Sequence, residues 1–335
     1  RQRQMCIRDR CVIDTYSYMN TQTERSKAIF LNGGIGRILC AIPAIEKYQK
    51  ESGDEDFIVV IEGKCNILDG HPTLDSKAYD MYHKNLFHTH IKKRDIISPE
   101  PYRVYEYFSQ QCNLSQAFDI ILNDKGVREL DKPKLYLSKE EKLKATEILK
   151  ECKEKIKADK YVIFQPFGRA IKQIDSSFVD PSNRSIEYTN FKNIIRKLHK
   201  EKVGVIVMSD FGIELKKENF EMDVAQPENI DLRIWAAIIE QVDHFIGCDS
   251  VGQHFAYSLG TPSTVITGAT FPENTTYPDK EGVNIVDLGQ NDRQYDPIRI
   301  TFDERISRVN ENLMFMTPEI EDYVIDTIMG RQTDE

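Results

Sequence analysis

The residues best suited to chemistry are gathered between Gln241 and Pro278, in QVDHFIGCDSVGQHFAYSLGTPSTVITGATFPENTTYP. There a carboxylate, a hydroxyl and an imidazole, Asp249, Ser250 and His254, fall within one short turn and the helix expected to follow it. Val242–Ile246 is a short apolar run of the kind that forms a buried strand, and Gly247 opens a turn. Ser250-Val251-Gly252-Gln253 has the S-x-x-Q form of a capping box, which predicts a helix starting at Val251. Gly260 closes that helix, Pro262 follows, and Ser263–Thr267 reads as the next strand. A helix that begins directly after a strand turns its unpaired N–H groups and positive dipole end toward the strand's carboxyl edge, where a phosphate or diphosphate can bind. Taken singly, Asp249 and Ser250 read equally well as helix caps, and His254 as a packed side chain.

The whole pattern is more specific than its parts. D-S-x-x-x-H-x-A-x-x-x-G-x-P followed by G-x-T-x-P is carried by Asp249, Ser250, His254, Ala256, Gly260, Pro262, Gly268, Thr270 and Pro272. It resembles glycosyltransferase family 9, the ADP-heptose:lipopolysaccharide heptosyltransferases and their relatives. Val251 stands where the family has a glycine. The resemblance spans roughly residues 27–310 and includes the opening Gly33-Gly34-Ile35-Gly36-Arg37 and Pro43-Ala44.

The resemblance implies the GT-B architecture, an α/β fold of two doubly wound, Rossmann-like domains facing a cleft. It implies inverting transfer of a sugar, a heptose or another hexose-like unit, from a nucleotide-diphosphate donor to a glycan or lipopolysaccharide-type acceptor. No metal ion or other cofactor is expected. The donor falls to the C-terminal domain and the acceptor to the N-terminal one. The expected donor set is Gly168, Arg169, Arg184, Ser209, Asp249, Ser250, Val251 and His254, with Gly33, Gly34 and Gly36 as the glycine loop of the first domain. Lys172 is a further cation near the Pro166–Arg169 loop, but Arg184 lies closest to where the family places its phosphate-binding lysine.

One position departs from the family. Arg37 stands where the presumed general base, an aspartate, is expected. A guanidinium stays protonated and cannot accept the proton of an acceptor hydroxyl. Arg37 then either holds an anionic group of the acceptor, at the cleft-facing start of the first helix, or is a solvated charge. Glu62, Asp69 and His71 are the nearest candidates for a relocated base, each equally readable as structural. Two other classes stay open: a nucleotide-sugar-binding protein without catalysis, and a nucleotide-sugar epimerase of the same fold.

The elements that must position these residues are legible in outline. Ala28–Asn32, Phe57–Ile61 and Phe118–Leu122 read as strands of a first domain, with a helix from Arg37 that Pro43 should kink and another over Tyr102–Cys112. Ser138-Lys139-Glu140-Glu141 is a capping box opening a charged helix to about Ala158. Tyr161–Gln165, Val203–Met208 and Asn284–Leu288 read as strands of a second domain, with helices at Tyr188–Lys200 and from Asp231. Helices over Asp303–Met316 and Pro318–Met329 end the chain, the last placed to return across the first domain. The expected division is 19–135 for the acceptor side, 136–312 for the donor side and 313–335 for a terminal helix and tail. The opening RQRQMCIRDR resembles a translated sequencing adapter, so residues 1–18 are expected to be a non-native extension, with Met19 as the start.

Composition narrows the partners. At 335 residues, two cores are expected. A net charge of -9 argues against a general nucleic-acid binder and allows at most peripheral membrane contact. His83, His88, His90, Lys92, Lys93 and Arg94 form a local basic patch, readable as solvated surface or as an anion-binding face. Seven scattered cysteines with no C-x-x-C pair read as reduced thiols, and with no secretory signal or membrane span visible the expected location is cytoplasmic. Oligomeric state is not encoded in any of these features.

Overall fold

Uninterrupted β-branched and aromatic runs form the central strands. KAIFL is β1 (Lys27–Leu31), followed by α1 (Ile35–Ser52), and IVVI is β2 (Ile58–Ile61). The three-residue strands β3 (Ala78–Asp80) and β4 (Asp95–Ile97) complete a parallel sheet in the order β3-β2-β1-β4. The computed structural model describes residues 25–63, 65–174, 177–210, 212–213, 224–294 and 312–331. The expected N-terminal extension, Met19 and most of the expected Asp303–Met316 helix lie outside the described residues.

Two expectations for the first domain are corrected. The Phe118–Leu122 run is not a strand but the body of α3 (Leu114–Asn123). Asn113 and Gln116 form a reciprocal capping box, both bonds 3.0 Å, and Leu114, Ala117, Phe118 and Leu122 repeat at helical spacing against α1. So short an apolar run has no period of its own, so the cap before it decided the outcome. The Tyr102–Cys112 helix shrinks to α2 (Tyr105–Phe108), after a 3-10 turn at Pro101–Arg103. α1 continues through Pro43, which is buried within it.

In the second domain α4 (Lys139–Lys155) starts at its predicted box, Ser138 with Glu141. Then follow β5 (Lys160–Gln165), the hairpin β6 (Lys172–Ile174) and β7 (Ser177–Val179), α5 (Tyr188–Lys200), β8 (Val203–Val207) and β9 (Val224–Ala225). The chain returns through α6 (Leu232–Ile239), β10 (His244–Cys248), α7 (Val251–Leu259), β11 (Ser263–Thr267), α8 (Pro272–Thr275) and β12 (Val283–Asp287) to α9 (Pro318–Met329). Six of these strands make a parallel sheet in the order β12-β11-β10-β5-β8-β9. The first sheet changes direction of winding between β1 and β4, the second between β5 and β10. Such switch points open a crevice at the carboxyl ends of the strands.

Alternation along the strands divides the cores. Ile163 joins a core that also takes Ile29, Leu31, Val59, Ile61, α1, α3, Trp235 and Phe255, so hydrophobic packing is continuous between the two sheets. Val162 and Phe164 face the other side, under α5 and α9. α9 therefore does not return across the first domain: Asn190 Nδ2 on α5 donates to Met316 O and Glu321 Oε1, each at 2.7 Å, and Lys197 pairs with Asp322 at 2.7 Å. Leu86 and Ile91 cover the outer face of the first sheet, which leaves Phe87, His88, Lys92 and Lys93 exposed, while Arg94 pairs with Asp56 at 2.9 Å. The basic patch thus overlies a small core. Cys40, Cys112, Cys152 and Cys248 are buried free thiols.

Candidate functional site

The site grows from the second switch point. Gln165 ends β5 and reaches β10's neighbouring turn with both ends of its amide: its Nε2 donates to Ser250 Oγ at 3.1 Å and its Oε1 accepts the Gly252 N–H at 3.0 Å. Ser250 is the N-cap of α7 as predicted, but the Ser250–Gln253 capping box does not form. Gln253 instead donates to Asp249 Oδ1 at 2.7 Å, and Gln165 takes the backbone donor that a capping side chain would have taken. Val251 is the first helical residue, and a side chain at Gly252 would meet Phe245 and Gln165 within 2.5 Å, which is why the chain there has no Cβ.

Arg184 comes to this turn from a loop built on Asp180. The Asp180 carboxylate accepts from the Ser182 and Ser185 backbone N–H groups at 2.8 and 2.9 Å and from both serine hydroxyls at 2.5 Å. Burial alone would raise this carboxyl, but those bonds and the neighbouring guanidinium hold it below the usual aspartate range. Arg184 Nη1 then lies 3.7 Å from Asp249 Oδ2 and 3.4 Å from the Asp249 carbonyl. Desolvation pulls the guanidinium down, but Asp249, Asp180 and other nearby groups, Tyr102 of the first domain among them, outweigh it and hold it above the usual arginine value. Gly168 donates to Ser185 Oγ at 3.0 Å, so the Pro166–Arg169 loop rests on the same framework. Arg169 and Lys172 are exposed beside it, and Ser209 is half-buried beyond the end of β8, on the same sheet edge.

The first domain meets this edge with its glycine loop. Gly33 takes φ 93°, a left-handed turn that a side chain would strain, and Gly34 caps α1. A Cβ on Gly36 would lie 2.5 Å from His254 Cδ2, so Gly36 is where α7 seats on α1. His254 Nδ1 is 2.7 Å from the Tyr277 hydroxyl, and Cys40 Sγ lies 3.7 Å from both. Burial pushes His254 down to about 4 and Cys40 up to about 12, so the cluster is neutral at pH 7. Asn274 fastens the junction from α8, donating to the Tyr107 and Cys112 carbonyls at 2.8 Å each. His254 thus stands one turn inside α7, wedged between domains, with Asp249 and Ser250 nearer the open edge.

The residues expected to supply a base do not all converge. His71 Nδ1 accepts the Thr73 and Leu74 N–H groups at 3.3 and 3.2 Å, which leaves its proton on Nε2, 3.5 Å from Glu46. Glu46 is nine residues past Arg37 on α1, about 13 Å along the axis. His71 therefore closes a turn on the flank of α1, and Asp69 lies in the same turn-rich loop, its carboxyl raised by partial burial against the pull of Arg233. That loop is tied to the second domain by buried Arg233, which bonds the Asn66, Ile67 and Tyr136 carbonyls and Glu141. Glu62 is exposed at the end of β2.

Arg37 is committed. Its Nη2 donates to Pro99 O at 3.0 Å and faces Glu100 Oε2 at 3.4 Å, and its guanidinium lies over the rings of Tyr102 and Phe118. It is neither a solvated charge nor an open clamp. Glu100, Asp180, Gln165 and Tyr277 had no prior assignment; only Asp180 carried a local signal, the turn-forming Asp-Pro-Ser-Asn. Among the described residues, no three His, Cys, Asp or Glu side chains converge as metal ligands, and no helix is long and apolar enough to cross a membrane.

No family model and no curated protein matches the sequence. Solved structures do. A glycosyl transferase family 9 protein from Veillonella parvula superposes with a TM-score of 0.63 at 11% identity, covering 91% of this chain and 98% of its own. ADP-heptose lipopolysaccharide heptosyltransferase II of Escherichia coli gives 0.64 at 12%, covering 91% and 99%. The iron-containing dodecameric glycosyltransferase TibC from enterotoxigenic E. coli gives 0.57 at 14%, covering 92% and 77%. The chain has the fold of the family 9 heptosyltransferases, two Rossmann-like units of GT-B type.

Proposed function

We propose that this chain is a glycosyltransferase that moves a sugar, a heptose or a similar unit, from a nucleotide-diphosphate donor to a glycan or lipopolysaccharide-type acceptor. The observation that carries this reading is Arg184, held by the Asp180 turn against Asp249 at the start of α7, the helix whose His254 seats on Gly36 of the other domain's glycine loop. As the glycosidic bond breaks, negative charge builds on the leaving diphosphate. A fixed guanidinium and the positive end of a helix dipole stabilise that charge without reorganising. These groups supply the role a metal ion could otherwise fill, and transfer in line from the opposite side of the ring gives inversion. Fold relatives named for ADP-heptose transfer to lipopolysaccharide support the substrate class.

A second reading is favoured by one observation. Arg37 stands at the family's base position and is itself occupied by Pro99 and Glu100, which fits a nucleotide-sugar-binding protein without turnover. Incubating the purified protein with ADP-, GDP- and UDP-linked sugars and resolving the nucleotides by anion-exchange chromatography separates the readings. A transferase releases nucleoside diphosphate slowly, with water as acceptor. Binding by calorimetry without release supports the second reading, and an isomerised sugar would indicate an epimerase.

A further inference from the structure

The reaction needs a proton acceptor on the first domain, and the position where one is expected holds an arginine. We infer that Glu100 is the catalytic base and that Arg37 is the residue that positions it; this rests on the transferase reading above. Both stand at the first sheet's switch point: Arg37 in the first turn of α1, after β1, and Glu100 in the loop after β4, the strand that flanks β1 on its other side. This is the edge that meets the donor cradle. Gly36, next to Arg37, touches His254, and Tyr102, two residues from Glu100, lies under the Arg37 guanidinium.

The two carboxylate oxygens of Glu100 are unlike. Oε2 faces Arg37 Nη2 at 3.4 Å, whereas Oε1 is shielded from solvent and has no hydrogen-bond donor among the described residues. A shielded carboxylate oxygen without a donor is costly, and a hydroxyl group would relieve that cost. The side chain as a whole retains 27% exposure, so Glu100 lies at the domain surface rather than within a core. Asp69 and His71 are held on the flank of α1, and Glu62 is exposed at the end of β2, with no side-chain hydrogen bond or ion pair among the described residues. Of the candidate bases, Glu100 alone combines an oriented carboxylate with an unclaimed oxygen at the sheet edge.

In the step, Glu100 Oε1 takes the proton of the acceptor hydroxyl as that oxygen forms its bond to the anomeric carbon. The bond from the anomeric carbon to the phosphate oxygen breaks, and its electron pair leaves on the nucleoside diphosphate beside Arg184. The proton on Glu100 then passes to solvent. Arg37 keeps the carboxylate aimed. The exchange moves the carboxylate from the helix to the neighbouring loop and leaves the cation on the helix.

The test uses the full chain and donor hydrolysis, because water serves as acceptor and no acceptor needs to be known. With whichever of the ADP-, GDP- or UDP-linked sugars the wild type hydrolyses, Glu100→Gln should lower kcat by between about a hundredfold and ten-thousandfold, the usual contribution of a general base. Affinity for the matching nucleoside diphosphate and the melting temperature should stay near wild type. The acidic limb of the wild-type pH–rate profile should disappear in Glu100→Gln, and Arg37→Gln should lower kcat with little change in KM. Hydrolysis undiminished in Glu100→Gln, or lost instead in Glu62→Gln, would overturn the assignment while leaving the transferase reading intact. Failure of the wild type to bind or hydrolyse any nucleotide sugar would instead strike at that reading itself, and the assignment would fall with it.

Discussion

The bare Cα of Gly36, in the first turn of α1, carries the imidazole of His254 from α7, and a Cβ there would press the ring at 2.5 Å. A glycine that the sequence offers as a phosphate-binding loop is here also a joint between two domains. Gly36→Ala should overpack this joint and destabilise the protein by about 1–3 kcal/mol. Chemical denaturation of Gly36→Ala, His254→Ala and the double variant checks it. The two effects should be strongly non-additive, because the second substitution removes the ring that the new methyl meets.

Stability should fall on mild acidification. Burial holds His254 and His244 down to about 4 in the folded chain, against about 6.5 in the unfolded one. Between those values the unfolded state binds more protons, so stability is complete above about pH 6.5 and declines as pH falls toward about 4. Each ring contributes on the order of 3 kcal/mol across that window. His244→Gln, which keeps a polar partner for Thr264 Oγ1, should flatten the profile measured by thermal melts from pH 7.5 to 4.5. An unchanged slope would show that burial at β10 does not govern the titration.

Asn274 is expected to latch the domains. Its amide donates to two buried carbonyls of the other domain at 2.8 Å each; Asn274→Ala would remove the donor to Cys112 O, while Tyr107 O keeps the Gln110 N–H at 3.0 Å. The expected cost is about 1–3 kcal/mol. Small-angle scattering should also show whether the lobes separate, which an ordinary core substitution would not cause.

Nucleotide binding should depend on Arg184 and, through it, on Asp180. A charge-assisted hydrogen bond contributes about 1.5–3 kcal/mol, so Arg184→Gln should raise the Kd for the bound nucleoside diphosphate about tenfold to a hundredfold. Asp180→Ala leaves the guanidinium present but removes the carboxylate that organises its loop. Calorimetry should show weaker binding there too. An Asp180→Ala protein that binds as tightly as wild type would mean that Arg184 does not need its turn.

Much of the second domain is local in origin. Ser250 before an apolar helix, Gly260 after it, and the even run of Ser263–Thr267 are signals contained within a few residues, and α7, β11, α5 and α9 start or stop where such signals place them. The order D-S-x-x-x-H with G-x-T-x-P pointed to the fold for the same reason, since a strand–turn–helix that offers N–H groups is a local structure. What the tertiary structure decided are relations between distant segments. Packing on α5 drew α9 to the second sheet, and Gln165 displaced the Ser250–Gln253 box. The partner of Arg37 is the plainest case. Nothing within reach along the chain identifies Glu100, because the two residues meet only when β4 pairs beside β1, and hydrogen bonding and charge act through space rather than along sequence.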